Sequence, residues 1–325
     1  MALGQLVNGK WVKNWTENKT GKFQRMSTKF HHQITADGSS GFKAESGRYH
    51  LYISLGCPWA HRTAILWQLK GLKEIIGLSI VDPVISDEGW QFSTCEGCIS
   101  DTVNDKKYLR EIYTLADRNY TGRVTVPVLW DKKTQTIVNN ESLQIIKMFN
   151  SEFDRLGAAK TDFYPDHLCS EIDRAIEEIY QPINNGVYRA GFASTQQAYE
   201  EAVRGLFSAL DYWESILGNR AYLCGDAITL ADWCMFATLF RFDLAYHGIF
   251  KCNLKRLIDY PNLWRYCRQL YQQPGVSSVC SVSHVKDLYY RGIPEINPNG
   301  IVPIGMEIDF SQEIANIDRN KTAIA

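Results

Sequence analysis

The sequence predicts an α/β domain followed by an all-helical domain, on three observations. A chain of 325 residues is longer than one compact core usually absorbs, so two domains are expected. Between Tyr49 and Asn150, short aromatic and β-branched runs alternate with segments of helical spacing. From Asp166 onward the sustained spacing is helical.

Taken in order, residues 1–48 mix aromatic and basic residues with Gly, Ser, Thr and Asn without a sustained period. They read as an irregular extension packed on the first domain, with Trp11, Trp15, Phe23 and Phe30 as anchors. Tyr49 to Leu55 reads as a strand. After Gly56 and Cys57, Pro58 opens a helix with Ile65, Leu66 and Leu69 at helical spacing. Leu78 to Val81 is the next strand, which makes the unit a right-handed parallel crossover. Ser86 to Thr102 is a long polar connection carrying Trp90, which either pins the loop or stacks on a ligand. A helix over Lys106 to Ala116 follows, then the apolar run Arg123 to Trp130. Pro127 interrupts that run and is expected at an edge, a strand start or a cis turn. Thr136 to Val138 returns as a hairpin strand, and Asn140-Glu141-Ser142 starts a helix, with Asn140 or Ser142 acting as its cap or as ligand donors.

Strand, helix, strand, helix, hairpin and helix is the thioredoxin-like order, assigned to residues 49–150. Residues 151–165 read as a linker and 166–280 as the helical domain, with helices over Leu168 to Ile183, Thr195 to Leu217, Leu230 to Ala245 and Leu263 to Tyr271. Thr229 and Asp232 form a capping box, a folding signature rather than a catalytic one. Residues 281–325 are aromatic and proline-punctuated, and are expected to pack back near the active site.

Composition narrows the function. The net charge is -1, with 35 basic and 36 acidic residues in no long run of one sign, so neither nucleic acid nor an anionic membrane is an expected partner. No apolar stretch reaches a membrane span or the core of a signal peptide, which points to the cytoplasm. Nine scattered cysteines do not make a secreted disulfide framework, and most are expected as free thiols. Cys95 and Cys98 have zinc-knuckle spacing, but no second pair follows. They are read as incidental loop cysteines, and no metal site is expected.

Cys57 is the exception among these thiols. It stands between a strand end and a helix opened by proline, where unpaired amides and the helix dipole favour thiolate. Such positions lower a cysteine pKa from about 8.5 to roughly 3.5–7.5. His61 and Arg62 add basic neighbours. Position 60 is Ala, so no second thiol resolves a mixed disulfide at Cys57, and a small-molecule thiol is expected as co-substrate. A cis Pro127 would expose the Val126 backbone for pairing with a glutathione-like peptide. Tyr188, Tyr289 and Tyr290 are phenols placed either above Cys57 or as packed surface aromatics.

Cys57-Pro58-Trp59-Ala60-His61-Arg62, Gly21-Lys22-Phe23-Gln24-Arg25, Gly89-Trp90, Arg123 to Asp131, Asn140-Glu141-Ser142, Asn184-Asn185-Gly186-Val187-Tyr188 and Ile296-Asn297-Pro298 stand in one family's order. Together they resemble the glutathione transferases, and among them the Xi class, the glutathionyl-hydroquinone reductases. The resemblance implies an enzyme that removes glutathione from S-glutathionyl-hydroquinones, with Cys57 as nucleophile and Tyr188 and Tyr289 hydrogen-bonding the quinol. It implies glutathione binding by Trp90, Arg123, Val126, Glu141 and Ser142, with glutathione as co-substrate and no permanently bound cofactor. It further implies a homodimer through the helical domain. Leu288 and Arg291-Gly292-Ile293 flank the tyrosine pair where the family usually has His and Ser-His, and Met306 replaces a usual proline. These departures bear on which quinol is accepted. Two alternatives share the fold: an Omega-like thiol transferase or dehydroascorbate reductase, and a non-catalytic ligand-binding protein.

Overall fold

The structure, a computed structural model, describes residues 4–13, 28–305 and 307–314. Trp15, Phe23, the 21–25 motif and Met306 lie outside the described residues.

The extension is more regular than its composition suggests. β1 (Gln5–Val7) and β2 (Lys10–Val12) form a hairpin, and β1 also pairs with β7 (Gly122–Arg123). The turn residues Asn8 and Gly9 both have positive φ (47° and 75°), the geometry that favours Asn-Gly between hairpin strands. A Cβ on Gly9 would lie 2.1 Å from the Arg118 carbonyl oxygen, so only glycine fits. β3 (Ile34–Thr35) and β4 (Phe42–Lys43) make a short parallel ladder. Phe30 stacks on Tyr120 and meets Tyr113 edge-on, as an anchor should.

The central sheet has the order β6-β5-β8-β9, from β5 (Tyr49–Ile53), β6 (Ile76–Ile80), β8 (Val128–Asp131) and β9 (Thr136–Asn139). β5 runs parallel to β6 and antiparallel to β8, and β9 is antiparallel to β8. This is the thioredoxin-like arrangement, and β5 is buried along its whole length because both faces and both edges are covered. That is why it reads as an unbroken apolar and aromatic run rather than an alternation. α1 (Pro58–Leu69) follows β5, α2 (Leu109–Ala116) precedes β7, and α3 (Ser142–Ser151) packs beside α1. The Val126-Pro127 bond between β7 and β8 is cis.

The second half is helical: α4 (Cys169–Ile179), α5 (Gly186–Gly191), α6 (Gln196–Leu217), α7 (Leu230–Arg241), α8 (Pro261–Tyr271) and α9 (Val282–Lys286). α1 is buried from Pro58 to Trp67 because it is clamped between its own domain and α7. Three of these helices pass into wide π turns, Tyr180–Asn184, Phe242–Tyr246 and Asp287–Arg291. The helix expected over 168–183 therefore breaks up, and α5, which was not expected, follows it. Asp232 is structural as expected. Its carboxylate accepts from Thr229 N and Oγ1, Leu223 N and the Tyr266 hydroxyl. The tail packs back, with Phe310 against Phe240, Trp264 and Tyr271. No helix among the described residues is long and apolar enough to cross a membrane.

Candidate active site

Cys57 caps α1 in an extended conformation (φ −82°, ψ 125°), with Pro58 in the first turn. The sulfur therefore sits at the positive end of the helix, beside first-turn amides that no helical carbonyl satisfies. Its thiol is directed at the Val126 carbonyl oxygen, 3.9 Å away. Only 8% of Cys57 is exposed, which suits a nucleophile kept from bulk solvent. Gly56 before it admits the tail: a Cβ there would come within 2.7 Å of the His284 carbonyl oxygen and 2.8 Å of Leu288 Cβ. Leu288 thus packs against the residue next to the nucleophile.

Arg241, at the end of α7, is fully buried and was not singled out from sequence. Its guanidinium donates to the Gly56 carbonyl (2.8 Å), the Leu55 carbonyl (2.7 Å), the Ala237 carbonyl (2.7 Å) and His61 Nδ1 (3.0 Å). The last two carbonyls before Cys57 are thereby fixed by a residue of the other domain. Burial, and after it the Arg241 charge, push His61 well below the ordinary histidine range. His61 is therefore neutral, a correction to its reading as a basic neighbour. Arg62 keeps a separate role, donating to Asn184 Oδ1 (2.8 Å) and lying over the Trp59 ring.

The segment bearing Val126 is tied to the start of α3 by Tyr113 of α2. The Tyr113 hydroxyl donates to the Thr125 carbonyl (2.8 Å) and accepts from Thr125 N (3.2 Å) and Asn140 Nδ2 (3.1 Å). Asn140 N in turn donates to the Phe30 carbonyl, so the extension braces this corner. Glu141 is the cap of α3, its side chain accepting from Leu143 N (3.4 Å); neither Asn140 nor Ser142 caps it. Ser142 Oγ is buried with no hydrogen-bond partner among the described residues. An orphaned buried hydroxyl at a helix start is a donor in want of an acceptor, and a carboxylate would supply one. Arg123 lies on β7, on the same connection as Val126. Trp90 is buried in the long connection, its carbonyl accepting from Leu109 N at the start of α2.

The phenols meet. Tyr188 and Tyr289 hydroxyls are 2.6 Å apart, and Tyr246, which sequence reasoning missed, bonds the Tyr289 hydroxyl at 2.9 Å. The Tyr188 ring lies 6.5 Å from that of Trp59, which links the cluster to the turn carrying Cys57. Burial raises Tyr289 and Tyr246 well above the ordinary phenol value, so both remain hydrogen-bond donors. Tyr290 points elsewhere, toward Gly248.

Cys95 and Cys98 correct the expectation of incidental thiols: they form a disulfide. Their sulfurs and a ring nitrogen of His284 all lie within 4.8 Å of one another, a grouping the sequence conceals because His284 is far along the chain.

Comparison with known proteins fits this geometry. The family model for the glutathione S-transferase N-terminal domain matches residues 56–152, and that for the C-terminal domain matches residues 196–269. The chain is 47% identical over 319 residues to the glutathionyl-hydroquinone reductase YqjG of Escherichia coli strain K12, covering 95% of this chain and 97% of that one. It is 46% identical to the glutathionyl-hydroquinone reductase PcpF of Sphingobium chlorophenolicum, covering 93% and 96%. The glutathione-bound structure of YqjG superposes with a TM-score of 0.89 over 96% of this chain and 98% of that one, at 44% identity. A Xi class glutathione transferase from Natrialba magadii superposes with a TM-score of 0.92 over 98% of both chains, also at 44% identity.

Proposed function

This chain belongs to the glutathione transferase family, within its Xi class of glutathionyl-hydroquinone reductases, and on that basis we propose that it reduces S-glutathionyl-hydroquinones to hydroquinones. The observation that carries the reading is a single thiol, Cys57, at a helix start beside the Val126 carbonyl, with Ala at position 60. Cys57 thiolate attacks the glutathione sulfur of the substrate and breaks its bond to the aromatic carbon. That carbon takes a proton, hydroquinone leaves, and a Cys57–glutathione disulfide remains. A second glutathione attacks the disulfide, returns Cys57 thiolate and departs as glutathione disulfide. Glutathione is co-substrate to this cycle, and no resident cofactor is required.

In this reading the glutathione backbone pairs with Val126. Its γ-glutamyl end lies at Glu141 and Ser142, where the orphaned Ser142 hydroxyl supports a carboxylate, and Trp90 and Arg123 flank the remainder. Tyr188 and Tyr289 hydrogen-bond the quinol oxygens, exchanging the bond between their hydroxyls for bonds to the ligand. The proposed enzyme is a cytoplasmic homodimer joined through its helical domain.

Turnover of glutathionyl-menadiol with excess glutathione tests the reading. Native protein should release menadiol, and Cys57→Ser should lose turnover by on the order of 10³-fold or more while still binding glutathione. Native protein that binds glutathione but leaves the substrate intact would overturn it.

A further inference from the structure

We propose that Cys95 and Cys98 are a second thiol–disulfide site, exchanging electrons with glutathione, whose state sets how firmly the segment carrying Tyr289 is held over Cys57. The proposal rests on the proposed function only for its source of oxidant, glutathione disulfide.

The bridge has little structural use of its own. It joins residues 3 apart in sequence, and so short a loop removes little entropy from the unfolded chain. Both cysteines are partly exposed. Cys224, Cys234, Cys252 and Cys267, by contrast, are buried, and burial raises each thiol above its ordinary pKa, Cys224 to about 11. Those thiols are poor nucleophiles. The pair is both accessible and adjacent to an imidazole, the surroundings in which cysteines react.

The imidazole is that of His284, which is 3% exposed. Its Nε2 donates to the Glu96 carbonyl between the two cysteines (2.7 Å), and its Nδ1 is buried with no hydrogen-bond partner among the described residues. Gly97 (φ 76°) presses on the ring, where a Cβ would lie 2.8 Å from Nε2. The closed turn, with Cys98 N donating to the Cys95 carbonyl, thus presents the Glu96 carbonyl to His284. On its far side the turn is fixed to the end of β6 by paired bonds between Ile99 and Ile80 (2.9 and 3.0 Å). His284 stands in α9, and its own carbonyl and Leu288 close on Gly56 beside Cys57. Tyr289 follows in the next turn. The disulfide ring, Glu96, His284 and Tyr289 are therefore a contiguous path whose first member has two covalent states.

The exchange balances without another reagent. One thiolate of the reduced pair attacks glutathione disulfide, expels a glutathione thiolate and leaves a mixed disulfide. The second thiolate attacks the protein sulfur of that bond and expels the other. The pair gives up two electrons and two protons, and one glutathione disulfide becomes two glutathiones. Accumulation of the oxidised product of the proposed cycle would thereby register on the tail.

The test uses the full chain carrying Cys57→Ser, equilibrated in buffers of graded glutathione to glutathione disulfide ratio, with peptide mapping to separate the pair from the partly exposed Cys169 and Cys280. Acid quench, alkylation and peptide mass spectrometry should show Cys95 and Cys98 passing together between dithiol and disulfide. Hydrogen exchange over 282–291 should be roughly 3- to 10-fold faster in the dithiol form. Adding Cys95→Ser and Cys98→Ser should give the faster rate at every ratio. A pair that never changes state overturns the proposal, as does equal exchange in both states. So does one zinc ion per chain, held by the reduced pair with His284, that blocks disulfide formation. Neither readout requires turnover, so loss of the reductase reading and loss of this one are separable.

Discussion

The two walls of the candidate site are built by different means. The thiol wall comes from strand ends and helix starts of one domain: Cys57 after β5, Val126 before β8, Glu141 and Ser142 after β9. The phenol wall gathers Tyr188, Tyr246 and Tyr289, with 101 residues separating the first from the last. Tyr188 follows one π turn, and Tyr246 and Tyr289 lie within two others. Among the described residues the thiol wall keeps an unpartnered donor in Ser142, whereas in the phenol wall the Tyr289 hydroxyl bonds those of Tyr188 and Tyr246. One wall is ready for a polar ligand. The other must trade an internal hydrogen bond to admit one.

Separating the walls by mutation is the sharpest test of that difference. Tyr289→Phe removes the hydroxyl shared by both phenol bonds, so kcat for a glutathionyl-hydroquinone should fall about 10²-fold, with KM for glutathione unchanged. Steady-state kinetics with each substrate varied in turn checks this. An equal loss in both parameters would mean that the walls are not independent.

Arg241 joins the walls, and its loss should be felt as stability. Arg241→Leu leaves the Leu55 and Gly56 carbonyls buried without their donor, at a cost of about 3 kcal/mol. Urea denaturation should show a lower midpoint with an unchanged slope. A midpoint like that of native protein would mean that the β5–α1 turn holds itself.

This contrast also explains what the sequence discloses. Cys57, Val126 and the start of α3 are legible because turn chemistry is local: proline after a strand end, proline inside an apolar run, a polar triplet before a helical period. The hairpin around Asn8-Gly9 was missed, and residues 1–48 read as irregular, because its flanking strands are too short to show a period. Tyr246 lies at the end of a run that reads as ordinary helix, and nothing in that spacing announces a π turn. Arg241 in a last helical turn reads as a solvated cation, and only the packing of α7 on α1 turns it inward. His61 misled for the same reason, since its neutrality comes from burial and from Arg241, neither visible from Cys57's neighbours. Cys95, Cys98 and His284 meet only in three dimensions.

A smaller effect is expected within the thiol wall. Tyr113→Phe keeps the ring packed against Phe30 and Tyr120 but drops the hydroxyl that joins Thr125 to Asn140. One such bond is worth about 1 kcal/mol, so KM for glutathione should rise roughly fivefold while kcat stays near native. A fall in kcat alone would move Tyr113 from positioning glutathione to shaping the reaction itself.

The smallest effect should be on the pH profile of the phenol wall. Burial holds Tyr289 and Tyr246 well above the ordinary phenol value of 10.0, so neither gives up its proton below that pH. Activity should therefore show no loss on approaching pH 10 that traces to either of these phenols. Tyr289→Phe should lower the whole profile of kcat/KM without changing its shape. An alkaline limb in native protein that vanishes in Tyr289→Phe would show that the phenol ionises during turnover. The phenol wall would then be open to water, and its resemblance to the thiol wall closer than the structure indicates.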